Sequence, residues 1–193
     1  MSVFETATRV PLVVRTPWRS GSAGRVVASS VELVSLYRSL AELAGIPTTA
    51  IESTVQGTSF APLMVDAERD IIRGGEVALS QMTRCKKSTE NGTQTRGYDP
   101  CAKTVGEAMG YTYMGYSVRS AEWRFTLWAE WNGTSLCPEW DNAANKIELY
   151  DHRRDMEAAN FDDFENINVA ADNAGVVTQM TALVHSSFGS SNC

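Results

Sequence analysis

The chain has 193 residues, 43% of them hydrophobic and 21% charged, with 17 Lys and Arg against 23 Asp and Glu for a net charge of −6. That composition belongs to a folded chain with a core, at a length suited to one domain or somewhat more, at about 100–150 residues per domain. Net acidity argues against a general nucleic-acid binder, the densest basic group being Arg84, Lys86 and Lys87, and no apolar run reaches the roughly 20 residues of a membrane-spanning helix.

The first ten residues, MSVFETATRV, lack the basic-then-apolar order of a signal peptide. The run Val10-Pro11-Leu12-Val13-Val14, within residues 9–16, predicts a strand buried on both faces, with Pro11 at its start or edge. Ser29 and Glu32 have capping-box spacing. Val31, Leu33, Val34, Leu36, Tyr37, Leu40, Leu43 and Ala44 then recur at helical period, predicting a helix that lays one broad apolar face on a core and stops at Gly45 and Pro47.

Residues 60–65 predict one or two helical turns, and the charged stretch 66–73 marks the main boundary, dividing the chain into 1–65 and 66–193. Residues 76–82 predict a strand and residues 84–110 a long polar loop. Met114, Tyr116 and Val118 alternate, as do Trp123, Phe125, Leu127, Ala129 and Trp131, so two antiparallel strands joined at Ser120-Ala121 turn those side chains to the core. Residues 147–150 predict another strand. Val176, Val177, Met180, Leu183 and Val184 give residues 172–188 an apolar helical stripe that packs on the sheet. The second half is thus an α+β layer pair, an antiparallel sheet backed by a C-terminal helix.

No self-sufficient catalytic motif stands in the chain: there is no G-x-S-x-G, P-loop, H-E-x-x-H or EF-hand spacing. His152 has acidic and basic neighbours that would tune an imidazole, or is simply a polar strand end; His185 lies near the end of the last helix, where the macrodipole favours a cation. Asp162 and Asp163 read as a solvated face, since calcium takes six to eight oxygen ligands. Cys85 and Cys101 flank the long loop, as a disulfide worth about 3 kcal/mol in the chain-entropy account or as two free thiols. Two sequons, at Asn91 and Asn132, are glycan acceptors in a eukaryotic secretory pathway or plain polar turns. Trp18, Trp128 and Trp140 are candidate exposed aromatics for sugar stacking, whereas Trp123 and Trp131 fall on the core face.

Several strings occur in one order: Phe4-Glu5-Thr6-Ala7-Thr8-Arg9-Val10-Pro11, then Val31-Glu32-Leu33-Val34-Ser35-Leu36 with LAELAGIP from Leu40 to Pro47, then Gly57-Thr58-Ser59-Phe60-Ala61-Pro62-Leu63-Met64. Met114-Gly115-Tyr116-Ser117-Val118-Arg119, Trp123-Arg124-Phe125-Thr126-Leu127-Trp128 and Glu148-Leu149-Tyr150-Asp151 follow. Over nearly the whole chain this series resembles the C-terminal part of type I sulfatases of the alkaline-phosphatase-like superfamily. Ala78-Leu79-Ser80-Gln81 followed by Arg84, and then MGYSVRS, are most similar to iduronate-2-sulfatases, while the loop from Lys86 to Gly110 departs from them.

The resemblance implies the tail end of an α/β sulfatase domain in residues 1–65 and the family's C-terminal subdomain in residues 66–193. It implies hydrolysis of sulfate esters of a sulfated sugar or glycosaminoglycan, by a formylglycine made in a C/S-x-P-x-R motif beside a calcium ion, in a lysosomal, extracellular or periplasmic setting. The residues two before the six prolines are Arg9, Arg15, Gly45, Phe60, Tyr98 and Leu136, so that motif is absent, as are the calcium ligands. The family's catalytic lysine falls just ahead of Met1, which leads to the expectation of a sulfatase fragment inactive alone. The alternative is a non-catalytic sugar-binding or interaction module. Arg84 and Lys103 are the candidates to position an anionic sugar, with an ion pair to a nearby acid as the other role for Arg84.

Overall fold

The structure, a computed structural model, describes residues 2–27, 29–65, 77–84, 111–153 and 165–189. Among them are three α-helices, α1 (Glu5–Thr8), α2 (Leu36–Leu43) and α3 (Ala174–Phe188), and five strands, β1 (Ala78–Arg84), β2 (Tyr113–Arg119), β3 (Trp123–Asn132), β4 (Cys137–Glu139) and β5 (Lys146–Asp151). The strands form one open antiparallel sheet in an α+β architecture. No described helix is long and apolar enough to cross a membrane.

Two compact units divide the chain, one comprising Met1–Arg9, Ser80–Val118 and Arg124–Cys193, the other Val10–Leu79 and Arg119–Trp123.

The first unit holds most of the sheet. Strand order is β1-β2-β3-β4, with β5 also on β3. The short β4 meets the end of β3 in the register Glu130↔Glu139, Trp131↔Pro138 and Asn132↔Cys137. The alternation in β3 predicted one buried face, yet β3 is buried from Trp123 through Ala129 on both. On one face Tyr116, Val118, Phe125 and Leu127 are buried together with Met180 and Val184 of α3, and Tyr116 stacks on Phe188 at 5.0 Å between ring centroids. Of the predicted α3 stripe, Leu183 stays exposed and Val176 and Val177 are half-buried.

The other face carries Arg124, Thr126 and Trp128. Thr126 donates to Ser117 Oγ at 3.1 Å, and Ser117 donates to the Phe125 carbonyl at 3.2 Å. The N-terminal segment closes it: Val3 and Glu5 are buried, Phe4 meets Tyr150 edge-on at 5.6 Å, and Arg124 reaches α1. Trp128 lies across β2 at Gly115, where a Cβ would stand 2.5 Å from the indole; only glycine admits the ring.

In the second unit three expectations change. Residues 11–16 form no strand, and Val13 is 93% exposed in a run with the composition of a buried strand. The capping box does not form: a 3-10 turn at Leu33–Ser35 precedes α2, no side chain caps either, and Glu32 accepts the Leu79 amide at 3.0 Å instead. Much of the predicted apolar face of this segment points outward: Leu33, Val34, Tyr37 and Leu40 are exposed, Val31, Leu36 and Leu43 are half-buried, and Ser35, Ser39 and Ala41 are buried. The reason is the close approach of residues 57–60. Ser35 and Ser39 hydroxyls accept the Thr58 and Phe60 amides at 3.2 and 2.9 Å, and a Cβ on Gly57 would fall 2.6 Å from the Val34 carbonyl oxygen. Small polar residues fit that contact and Leu or Tyr do not.

The helix ends as predicted at Gly45, which has φ +75°: its amide bonds to Glu42 O and the Ile46 amide to Ala41 O, a Schellman cap. The turns expected in residues 60–65 are the 3-10 helix Ala61–Met64.

Candidate functional site

Among the described residues of the first unit, a cluster of ionisable side chains is buried, and Arg124 is its centre. Its position in β3, between the apolar Trp123 and Phe125, turns the guanidinium to the face covered by α1. Nε donates to Glu165 Oε1, and the same guanidinium donates to Glu5 Oε2 at 2.5 Å and to Thr8 Oγ1 at 3.0 Å. Glu165 Oε2 accepts the Glu5 backbone amide at 2.5 Å. His152, just past β5 and 2% exposed, places Nε2 3.1 Å from Glu165 Oε1. A carboxylate only accepts, so the imidazole donates there. The polar strand end expected at His152 is thus a buried, hydrogen-bonded imidazole.

Burial alone would raise the Glu165 carboxyl. The His152 hydrogen bond, the Arg124 charge and the Glu5 amide outweigh it and hold Glu165 below the usual carboxylate range. A carboxyl depressed in the folded state contributes stability above its unfolded value and loses it as pH falls through the folded one. The melting temperature therefore stays level above the ordinary carboxylate range and drops below it, and Glu165→Gln shallows that drop. Equal acid slopes for wild type and variant in thermal unfolding followed from neutral pH downward would refute this role.

Carboxylate and imidazole atoms of Glu5, His152 and Glu165 lie within 4.8 Å of one another, a spacing that also suits a metal. They do not fit calcium: Arg124, permanently charged, bonds to both carboxylates, and among the described residues six to eight oxygens do not converge. The cluster is a structural ionic tie, joining α1 and the segment before α3 to the sheet.

A second arrangement lies at the end of β1. The exposed Arg84 guanidinium sits 4.0 Å above the centroid of the Trp128 ring, and no carboxylate among the described residues pairs with it. Trp128 is 4% exposed, so it is no sugar-stacking surface, contrary to its sequence assignment; the alternating pattern hid it because the second face of β3 is also covered. Its Nε1 is buried without a hydrogen-bond partner, as is Glu148 Oε2. Tyr150, pushed up to about 12 first by burial and then by the Glu148 and Glu165 charges, is drawn back down by the Arg84 charge.

Trp18 is exposed, and Trp140 is half-buried between Tyr116 and His185, at 4.8 Å from each ring centroid. An open cleft of about 390 Å³ beside it is lined by Pro138, Glu139, Asp141 and Asn142. The predicted Trp123 is buried and Trp131 half-buried. Asn132 opens the β3–β4 turn, and Cys137 is disulfide-bonded. Lys103, Asn91, Cys85, Cys101, Asp162 and Asp163 lie outside the described residues.

Comparison with protein-family models gives no match, and comparison with curated proteins gives none either.

Proposed function

We propose that the chain is the C-terminal portion of a sulfatase of the alkaline-phosphatase-like superfamily, most similar to iduronate-2-sulfatases, and that its part in that enzyme is to hold an anionic, sulfated sugar at Arg84. The observation that carries this reading is the state of Arg84. An indole beneath a guanidinium holds it by about 0.5–2 kcal/mol, and no carboxylate among the described residues takes its donor edge, which suits a two-point bond to sulfate or carboxylate. The order of motifs along the chain and the antiparallel sheet with its C-terminal helix support the family.

Within such an enzyme these residues bind and orient. The nucleophile, the lysine and the calcium ligands belong to the family's other part, so a sulfate ester incubated with this chain alone stays intact. The disulfide at Cys137 supports an oxidising lysosomal, extracellular or periplasmic setting. A second reading, a non-catalytic sugar-binding or interaction module, has in its favour the exposed apolar side chains Leu33, in the turn before α2, and Tyr37 and Leu40 of α2.

Calorimetric titration with sulfated glycosaminoglycan oligosaccharides at low salt tests the binding role. Saturable binding is expected, with Arg84→Ala weakening it about tenfold or more, the loss of one charge-assisted contact worth about 1.5–3 kcal/mol. Absence of binding by the wild-type chain at low salt would sink the proposal.

A further inference from the structure

We infer that Asn132 is an N-glycan acceptor and that the β3–β4 turn is built to present it. The residues Asn132, Gly133 and Thr134 form the acceptor triplet, and the fold sets the side chain in a particular way. Asn132 Oδ1 accepts two backbone amides, from Thr134 at 3.0 Å and Ser135 at 3.1 Å, an Asx turn that occupies the carbonyl side of the amide. The nitrogen side is left alone: among the described residues Nδ2 donates to no other group. Thr134, Ser135 and Leu136 are exposed, and among the described residues the Thr134 hydroxyl makes no hydrogen bond. Both groups that a transferring enzyme must reach, the amide nitrogen and the hydroxyl two residues on, are therefore accessible together at the tip of a hairpin.

A second observation points to the same compartment. Cys137 stands directly across the ladder from Asn132 and is disulfide-bonded. Disulfides persist where the surroundings are oxidising, and the secretory lumen, where N-glycans are attached, is such a place.

The co-substrate is an oligosaccharide carried on a polyprenyl diphosphate. Asn132 Nδ2 forms a C–N bond to the anomeric carbon while the C–O bond from that carbon to the diphosphate breaks. The lipid diphosphate leaves with the electron pair, and one Nδ2 proton passes to a base of the transferring enzyme. Nothing is oxidised or reduced.

The whole chain, directed through a eukaryotic secretory pathway behind a secretion leader, supplies the test. Asn91→Gln is included throughout so that only one sequon remains. Peptide mapping by mass spectrometry of the secreted protein should find Asn132 carrying a glycan in most molecules, with a gel shift removed by peptide-N-glycosidase. Thr134→Ala should abolish the shift and Thr134→Ser should restore it in part, which a purely structural role for the residue would not do. Recovery of unmodified Asn132 from secreted protein with Cys137 oxidised would overturn the inference without any variant, and without bearing on the role of Arg84.

Discussion

Arg124→Ala is expected to lower the free energy of unfolding by about 3–5 kcal/mol, because it leaves the buried Glu5 and Glu165 carboxylates without their shared cation. Small domains have only about 5–15 kcal/mol in all, so the variant should be partly unfolded or recovered only at low temperature. The cost lies in the uncompensated charge rather than in the pair's net worth. Adding Glu5→Gln and Glu165→Gln to Arg124→Met should accordingly recover a large part of it, since the triple variant buries no charge at these three positions. Urea unfolding followed by circular dichroism measures both. A loss below about 1 kcal/mol for Arg124→Ala would show that water reaches the cluster and that it is no structural tie.

Trp128→Ala should cost a similar amount, about 3–5 kcal/mol for truncating a large buried aromatic. It should also weaken sulfated oligosaccharide binding although Arg84 is still present, because the guanidinium loses the ring that orients it. Trp128→Phe separates the two contributions of the indole. The buried Nε1 has no partner to lose, so Phe sacrifices volume but no hydrogen bond, and a ring face remains under Arg84. Unfolding and titration of the two variants side by side should find Phe near wild type in binding and Ala weakened. Equal losses in both would mean that Arg84 does not depend on the aromatic face.

The elements legible in the sequence are those whose signal is local. The alternation in β2 and β3 and the apolar spacing in α3 appear in the structure close to where they were expected, and Gly45 ends α2 by the left-handed geometry that glycine allows. What escaped depends on distant partners. The three-residue β4, containing Pro138, exists through its ladder with the end of β3, which no periodicity announces. The run Val10 to Val14 has strand composition yet pairs with nothing among the described residues, since composition does not supply a neighbouring strand.

In α2 helical spacing identified the helix but not which way it faces. A segment stitched to Ser35 and Ser39 took the inner side and left Leu33, Tyr37 and Leu40 outside. The ionic tie was hidden for a related reason. Arg124 meets Glu5 from 119 residues away, so the only local hint was an arginine set in an apolar strand. For Arg84 the sequence offered both an anion contact and an acid partner. The structure places it on Trp128, an alternative that residue spacing does not reveal.

The proposed role of Arg84, seated on Trp128, is to receive the anionic group of a sulfated sugar. The most direct measurement is the difference in Kd between a sulfated glycosaminoglycan oligosaccharide and its desulfated counterpart, for the wild-type chain and for Arg84→Ala at one fixed low salt concentration. The wild-type chain should prefer the sulfated ligand by about tenfold or more, and Arg84→Ala should remove most of the preference. Equal affinity of the wild-type chain for the two ligands, or a preference unchanged in Arg84→Ala, would contradict it.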